Sequence, residues 1–185
     1  MSEEPYYYVA DSGIHQSGVF ASMDIPEGTY IIEYLGEKIS KEESQRRGIE
    51  WDSYAQEEDI GRVYIFELNE EYDIDGNSDD NVAKLINHSC EENCEAVVDG
   101  DSIWITAKRN ISAADELTFD YGFDMSHFID HPCLCGTDNC LGYIVRRDQR
   151  QKIRKLLYKK PTSDSAYKAL IKEQEENESE ETTEA

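Results

Sequence analysis

The sequence predicts a mostly β fold of the α+β class, built as a single domain with few helices. The chain has 185 residues, which is enough for one domain with a short appendage. Hydrophobic residues make up 38% of it and 12 residues are tyrosine, so we expect a folded core. Short aromatic and β-branched runs separated by glycine and proline recur along the chain, a pattern typical of strands.

The predicted strands follow this pattern from the N-terminal end onward. They lie at residues 6–9, 18–21, 30–35, 63–68 and 117–121. Residues 96–105 have the pattern of a hairpin, and Asp99-Gly100 is the turn signal within it. A second turn is predicted near Asp75-Gly76-Asn77. These many short strands predict a β-rich architecture.

Helical signals are few. Ser40-Lys41-Glu42-Glu43 has the form of a capping box and predicts a short helix that ends at Gly48. Residues 147–158 predict a basic helix. Residues 161–185 read as a marginal helix that fades into an acidic, disordered tail.

The formal net charge of −23 is the most unusual global feature of the chain. Residues 146–160 hold eight basic residues and one acidic residue, so the remainder is more acidic than the average. Such a surface repels nucleic-acid phosphates and attracts lysine- and arginine-rich polypeptides. We therefore expect no direct nucleic-acid binding, and we expect the basic helix to pack on the protein. The alternative interpretation is that acidity serves solubility or reflects a saline cytoplasm.

Neither a membrane segment nor a secretory signal is apparent. No apolar run approaches the roughly 20 residues of a membrane helix. Residues 1–5 lack the basic and apolar regions of a signal peptide. We expect an intracellular protein without a membrane partner.

Three of the five cysteines form the pattern C-x-C-x4-C at Cys133, Cys135 and Cys140. Three thiolates within eight residues can surround one tetrahedral zinc ion, which requires a fourth ligand from elsewhere. The candidates for that ligand are Cys90, Cys94, His127 and His131. Reduced cysteines without metal are the alternative, and disulfides are disfavoured because C-x-C is poorly spaced for internal pairing.

Five segments occur in a characteristic order ahead of the cysteines. They are residues 14–21 (IHQSGVFA), 32–37 (IEYLGE), 64–68 (YIFEL), 87–94 (NHSCEENC) and 116–123 (ELTFDYGF). Together with the cysteine spacing, these segments closely resemble the SET-domain lysine methyltransferases that carry a post-SET zinc motif. The resemblance covers roughly residues 6–145.

The resemblance implies a SET-type fold of several small curved β-sheets with short helices, plus a zinc-bound post-SET segment. We expect the SET domain at residues 1–126 and the post-SET zinc segment at 127–145. The basic helix and the acidic, partly disordered tail then occupy residues 146–185.

The resemblance also implies roles for individual residues. Asn87 and His88 would hold S-adenosylmethionine, assisted by the backbone around Ser17 and Gly18. Tyr121 and Tyr34 would be catalytic. The channel for the substrate lysine would be lined by Phe119, Tyr64 and Phe66. The zinc ligands would be Cys90, Cys133, Cys135 and Cys140.

The implied reaction transfers methyl groups from S-adenosylmethionine to the side-chain amine of lysine in a basic protein, histone or histone-like. Phe119 stands where the family has Phe or Tyr, and its lack of a hydroxyl group predicts di- or trimethylation. We expect the protein to be cytoplasmic if prokaryotic, and nuclear or on chromatin if eukaryotic.

One departure from the family pattern supports a rival hypothesis. Gln16 replaces the first glycine of a G-x-G motif, where a backbone would approach the cofactor closely. The rival is a non-catalytic, zinc-stabilised module that binds S-adenosylmethionine or lysine-rich peptides. A thiol hydrolase using Cys90 and His88 is disfavoured, because Cys90 is better used on zinc.

Overall fold

The structure is a computed structural model that describes residues 4–58, 64–158 and residue 172. Apart from residue 172, the predicted helix and acidic tail at 161–185 lie outside the described residues. The described residues divide into two compact units. Unit 1 lies within Met1–Asn87 and Glu92–Phe119, and unit 2 lies within His88–Glu91 and Asp120–Ala185.

The predicted fold class is confirmed, since the described residues form three small β-sheets with few helices. In chain order the strands are β1 (Tyr7–Asp11), β2 (Ser17–Ala21), β3 (Tyr30–Glu33), β4 (Glu37–Ser40), β5 (Ile65–Glu67), β6 (Tyr72–Asp75), β7 (Asn87–His88), β8 (Cys94–Asp99), β9 (Ser102–Ala107) and β10 (Glu116–Phe119). The α-helices are α1 (Lys41–Glu58) and α2 (Arg150–Tyr158). The 3₁₀-helices are Val82–Leu85, Met125–Asp130 and Arg147–Gln149.

The first sheet has four strands in the order β1-β2-β10-β7. Strands β1 and β2 pair in antiparallel register from Tyr7 opposite Ala21 to Asp11 opposite Ser17. Strand β10 pairs on the other side of β2, with Leu117 opposite Val19. The sheet therefore brings the first and fifth sequence motifs onto neighbouring strands.

The second sheet has the order β3-β9-β8 and contains the predicted hairpin. Asp99 lies opposite Ser102, so the two-residue loop consists of Gly100 and Asp101. Gly100 has a φ of +63°, a conformation that a two-residue hairpin loop requires and that glycine adopts without strain. The hairpin prediction is confirmed, and the turn lies one residue further along than its signal.

The third sheet has the order β4-β6-β5. Strand β5 was predicted from the sequence, whereas β4 and β6 were not. The predicted turn follows β6, where the Asn77 N–H donates to Asp75 Oδ1 at 3.1 Å.

Helix α1 begins as the capping box predicts and continues beyond the predicted end. The Glu43 N–H donates to Ser40 Oγ at 3.2 Å, which caps the helix. The prediction that the helix ends at Gly48 is wrong, because α1 extends through Gly48 to Glu58. The ion pair between Arg46 and Glu50 spans this glycine and supports the helix across it.

Unit 2 has its own apolar core. It consists of Met125, Phe128, Val145, Ile153 and Leu156, all buried. The last two residues belong to α2, so the predicted basic helix exists and packs through its apolar face.

Across the described residues, no helix is both long enough and apolar enough to cross a membrane.

Candidate functional site

In unit 1, Asn87 lies at the centre of a polar network. Its Nδ2 donates to Glu116 Oε1 at 2.8 Å, to Ser12 Oγ at 3.1 Å and to the Ser17 carbonyl oxygen at 3.1 Å. Ser12 Oγ also donates to Glu116 Oε1 at 2.7 Å. The network fixes the buried Asn87 side chain against the loop that carries the first sequence motif.

Gly18 of the first motif allows Glu116 to approach closely. A Cβ atom at Gly18 would lie 2.4 Å from Glu116 Oε1, far inside contact distance. Ser12 and Glu116 are therefore parts of this site to which the sequence assigned no role. Glu116 could have been suspected, because it opens the fifth motif at a position where a strand otherwise favours an apolar or β-branched residue.

Gln16 has a φ of +39°, in the left-handed region that favours glycine. This is the position at which the family pattern has a glycine. The backbone at this point thus keeps the glycine-like conformation although the side chain is that of glutamine.

An aromatic cluster in unit 1 brings together two of the predicted channel residues, Phe66 and Phe119, with Tyr34. The ring centroids of Tyr34 and Phe66 are 4.5 Å apart, and those of Phe66 and Phe119 are 5.5 Å apart. Tyr34 Oη donates to the Tyr64 carbonyl oxygen at 2.9 Å. Tyr34 is 4% exposed and Phe119 5%, so these two rings are shielded from water, whereas Phe66 between them is half-buried.

In unit 2, His88 contacts both Tyr121 and Cys90. Its Nδ1 accepts a hydrogen bond from the Tyr121 N–H at 3.2 Å, and its Nε2 lies 3.7 Å from Cys90 Sγ. The His88 and Tyr121 ring centroids are 5.4 Å apart. Nδ1 therefore faces a backbone donor, and Nε2 is the ring nitrogen that faces the sulfur.

Arg150 joins the start of α2 to the rest of unit 2. Its guanidinium donates to Asp120 Oδ2 at 2.8 Å, to the Cys90 carbonyl oxygen at 2.7 Å and to the Val145 carbonyl oxygen at 2.9 Å. The side chains of Arg150 and Asp120 are 13% and 19% exposed, so the pair is largely removed from water. From the sequence alone, Arg150 was only one of the eight basic residues counted in segment 146–160, with no role of its own.

Four cysteines of unit 2 lie together, as the resemblance implied. The sulfur atoms of Cys90, Cys133, Cys135 and Cys140 are all within 4.8 Å of one another. Ligands at about 2.3 Å from a tetrahedral zinc ion are roughly 3.8 Å apart, and the Cys90 and Cys133 sulfurs are separated by 3.9 Å. This donor set and its spacing fit one zinc ion.

Backbone groups around the four sulfurs favour thiolates. The Cys90 N–H donates to Cys135 Sγ at 3.5 Å, and the Gly142 N–H donates to Cys140 Sγ at 3.3 Å. A hydrogen bond from Cys133, with help from His88 and Arg150, lowers the pKa of Cys90 to about 3. The same contact with Cys90 raises the pKa of Cys133, because two adjacent thiolates repel each other. A divalent cation removes that conflict and lets all four groups ionise.

The remaining candidates for the fourth zinc ligand are placed differently. Cys94 lies on β8 in unit 1, fully buried, and burial raises the pKa of its thiol to about 12. The His131 ring packs against Phe123 at a tilted angle, with centroids 4.5 Å apart. The side chain of His127 lies outside the described residues. All five cysteines are unbridged.

The chain belongs to the SET domain family. The model of the SET domain matches residues 16–122, more than half of the chain. This match confirms the family that the ordered motifs indicated.

The relatives of this chain are much longer proteins. Histone-lysine N-methyltransferase trr of Drosophila melanogaster is 42% identical over 140 residues, which are 72% of this chain and 6% of the relative. The H3 lysine-4 specific enzyme of Emericella nidulans is 38% identical over 141 residues, 73% and 11% of the two chains. The H3 lysine-36 specific enzyme of Coccidioides immitis is 35% identical over 143 residues, which are 75% of this chain and 14% of the relative. The chain thus spans less than a sixth of the length of each of these three relatives.

Proposed function

We propose that this protein transfers methyl groups from S-adenosylmethionine to the side-chain amine of lysine in a histone or another lysine-rich protein. The observation that carries the proposal is the aromatic cluster of Tyr34, Phe66 and Phe119, two of whose rings are buried, in a chain of the SET domain family. The names of the three relatives above, all histone-lysine N-methyltransferases, support it.

The aromatic cluster suits the chemistry of lysine methylation. The nucleophile must be the neutral amine, yet a lysine with a pKa near 10.4 is almost fully protonated at neutral pH. Aromatic walls with little water disfavour the ammonium ion and so favour the reactive form. Tyr34 and Tyr64 supply oxygens that orient the amine without adding a competing nucleophile.

Tyr121 is the proposed active-site tyrosine. We assign it to orienting and electrostatically assisting the amine, with Tyr34 as the second catalytic residue. Holding the amine at attack distance contributes several kcal/mol to lowering a barrier of this kind.

Asn87, His88 and the backbone at Ser17 and Gly18 are the proposed cofactor-binding residues. When bound, S-adenosylmethionine supplies an electrophilic methyl group on a sulfonium. The network around Asn87 keeps the backbone of the first motif in one arrangement, so little ordering is needed when the cofactor binds.

The four-cysteine cluster is the proposed structural zinc site. Cys90 comes from the fourth motif and the other three ligands from the C-terminal segment, so one ion would join parts of the chain that are 43 residues apart. With four protein ligands the site is closed, which is typical of a structural rather than a catalytic zinc ion.

The substrate is proposed to be basic, and direct nucleic-acid binding is not expected. The charge of −23 attracts a lysine-rich polypeptide through long-range forces that salt screens. The KM for a histone-tail peptide should therefore rise between about 50 and 300 mM salt, a range over which the Debye length shortens roughly from 14 to 6 Å. A KM that is independent of salt would contradict this assignment. A nuclear, chromatin-bound location follows if the source is eukaryotic, and a cytoplasmic one if it is prokaryotic.

The rival function is a module that binds S-adenosylmethionine without transferring its methyl group. Formation of S-adenosylhomocysteine in the presence of core histones separates the two functions. We expect wild-type protein to form it, and we expect Tyr121→Phe to form it at least about 100-fold more slowly. Tyr158→Phe is the matched control, because that side chain is 88% exposed, and it should retain the wild-type rate. Cofactor binding without S-adenosylhomocysteine formation in the wild type would favour the rival.

A further inference from the structure

We infer that Gly76 is a positioning residue for the lysine channel: its missing side chain makes room for the Tyr34 ring, and so helps to determine how many methyl groups the enzyme adds. This inference rests on the proposed function, because it assigns the channel wall to Tyr34. The sequence treated Gly76 only as part of a turn.

The close approach of Gly76 and Tyr34 is the first observation. A Cβ atom at Gly76 would lie 2.2 Å from Tyr34 Cε1, 2.4 Å from Cζ and 2.5 Å from Oη. Ordinary contacts of a Cβ atom begin at 3.4 Å. The three nearest atoms all belong to the Tyr34 side chain, so a methyl group at this position meets Tyr34 before anything else.

The backbone conformation of Gly76 gives no other reason for a glycine. Its φ lies outside the left-handed region, in contrast to Gly100 and Gly122. Alanine could therefore adopt the same φ without strain. Space beside the Tyr34 ring is what the position requires.

Hydrogen bonds hold both sides of this contact. The Gly76 N–H donates to the Tyr64 carbonyl oxygen at 2.8 Å, and this oxygen also accepts from Tyr34 Oη at 2.9 Å. The Tyr34 N–H donates to the Ile103 carbonyl oxygen at 2.8 Å. Neither Gly76 nor the backbone of Tyr34 can withdraw without breaking a bond.

Asn81 completes the support from a fully buried position. Its Nδ2 donates to the Gly76 carbonyl oxygen at 2.9 Å, and its Oδ1 accepts from the Leu35 N–H at 3.2 Å. One amide thus joins the backbone beside Tyr34 to the backbone of Gly76. A buried amide that lost either partner would leave a polar group unsatisfied, so this link resists adjustment.

The ring is consequently the part that must move when a methyl group is added. A shift from 2.2 Å to 3.4 Å is more than an ångström, and it breaks the Tyr34 hydrogen bond to Tyr64. The Tyr34 ring contacts Phe66, which contacts Phe119, so the displacement alters the aromatic cluster as a whole. In a closely packed interior such a change alters the space available to a methylated amine.

The test combines product analysis with a double-mutant cycle. For Gly76→Ala we expect kcat to fall at least about tenfold, as misplacement of a reacting group by an ångström does. We also expect altered proportions of mono-, di- and trimethyllysine, with an unchanged KM for S-adenosylmethionine and unchanged zinc content. Gly48→Ala is the matched control, because nothing lies within 4 Å of a Cβ there, and its products should match the wild type.

The cycle determines whether the methyl group acts through Tyr34. Gly76→Ala should lower the midpoint of thermal unfolding by about 5 °C in the wild-type background. It should have almost no effect in a Tyr34→Ala background, where the ring is absent. An equal loss in both backgrounds, or wild-type product proportions from Gly76→Ala, would overturn the inference. A wild-type protein that transfers no methyl group would overturn the proposed function and the channel role of Gly76 together, while the cycle would still show whether the two residues are in contact.

Discussion

Phe119 is part of the aromatic cluster and lacks a hydroxyl group. The absence of this one oxygen atom is proposed to affect product state. Its ring lies 5.5 Å from that of Phe66 and is almost fully buried. A tyrosine hydroxyl here would hold a water molecule where a methylated amine needs room to turn. We therefore expect Phe119→Tyr to shift products from di- or trimethyllysine toward monomethyllysine, measured by mass spectrometry of a lysine peptide.

Phe20→Tyr is the control for this change. Its ring stacks on Tyr8 rather than on the cluster, with centroids 5.7 Å apart. The same hydroxyl group added there should leave the product proportions unaltered. Identical products from wild type and Phe119→Tyr would refute the role of Phe119.

Gln16 carries a conformational cost that glycine would avoid. A residue with a side chain in the left-handed region is strained by roughly 1 kcal/mol. Gln16→Gly should therefore leave the free energy of unfolding unchanged or raise it by up to about 1 kcal/mol, measured by urea denaturation. Gln45→Gly, in α1, should instead lower it by about 1 kcal/mol, as glycine does within a helix. Equal losses from both variants would show that Gln16 is not strained.

The sequence predicted individual residues well where a motif contained them and poorly where partners are distant. Tyr34, Phe66 and Phe119 were predicted to lie together, and they do. Ser12 is held by a hydrogen bond to Glu116, which is 104 residues away in the sequence. Asp120 is held by a hydrogen bond from Arg150, which is 30 residues away. Such pairs leave no local pattern, because only the folded chain brings them within hydrogen-bonding distance.

At the scale of elements, α2 depends on Arg150 as well as on its apolar face. Removing one member of a largely buried ion pair leaves the other charge unpaired, here Asp120. We expect Arg150→Ala to lower the free energy of unfolding by about 2 kcal/mol. Arg154→Ala is the control on the same helix. Its one described contact, to the Asn139 carbonyl oxygen, is 3.5 Å long, so its effect should stay within about 0.5 kcal/mol. Similar losses from the two variants would contradict the role given to Arg150.

The proposed zinc site predicts that unit 2 is sensitive to metal chelation. Zinc-bound thiolates resist alkylation, so we expect no labelling of native protein by iodoacetamide at pH 8. A strong chelator should release one zinc ion and expose four thiols, at Cys90, Cys133, Cys135 and Cys140. Mass spectrometry of the labelled protein gives both the number and the positions of the alkylated cysteines.

Cys94 is the internal control of the chelation experiment. Burial raises the pKa of its thiol to about 12, so almost no thiolate is present at pH 8, and its reactivity increases only as the pH rises toward that value. It should stay unlabelled until urea unfolds the chain. Labelling of Cys94 together with the other four would contradict its separate position, and labelling without chelator would argue against bound metal.

The elements that the sequence missed are those whose polar residues find partners in space. Strand β6 contains Asp73 and Asp75, both buried and both of a type depleted in strands. Lys41 on α1 pairs with Asp73 at 2.7 Å, and Arg47 pairs with Asp75 at 2.6 Å. These pairs compensate for the burial of the two aspartates in β6. They also anchor α1, the helix that was predicted from the sequence to end at Gly48.

At the scale of the whole molecule, the order of motifs identified the family although no single motif was sufficient. The SET domain model matches residues 16–122, and the cysteine cluster brings Cys90 from within that range together with three later cysteines in an arrangement that fits zinc. The acidic charge of the chain suits a basic substrate. The relatives named above include enzymes specific for H3 lysine 4 and for H3 lysine 36. Mapping the methylated lysines of a histone substrate will identify the target lysine of this chain.

The most direct test of the central claim is mass-spectrometric mapping of methyl transfer. The protein, with zinc bound, is incubated with methyl-deuterated S-adenosylmethionine and core histones, and Tyr121→Phe is treated in the same way. We predict deuterated methyl groups on lysine side chains with the wild type and almost none with Tyr121→Phe, although both proteins bind the cofactor with similar affinity. Wild-type protein that binds the cofactor but leaves every lysine unlabelled would contradict the account and would favour a binding module.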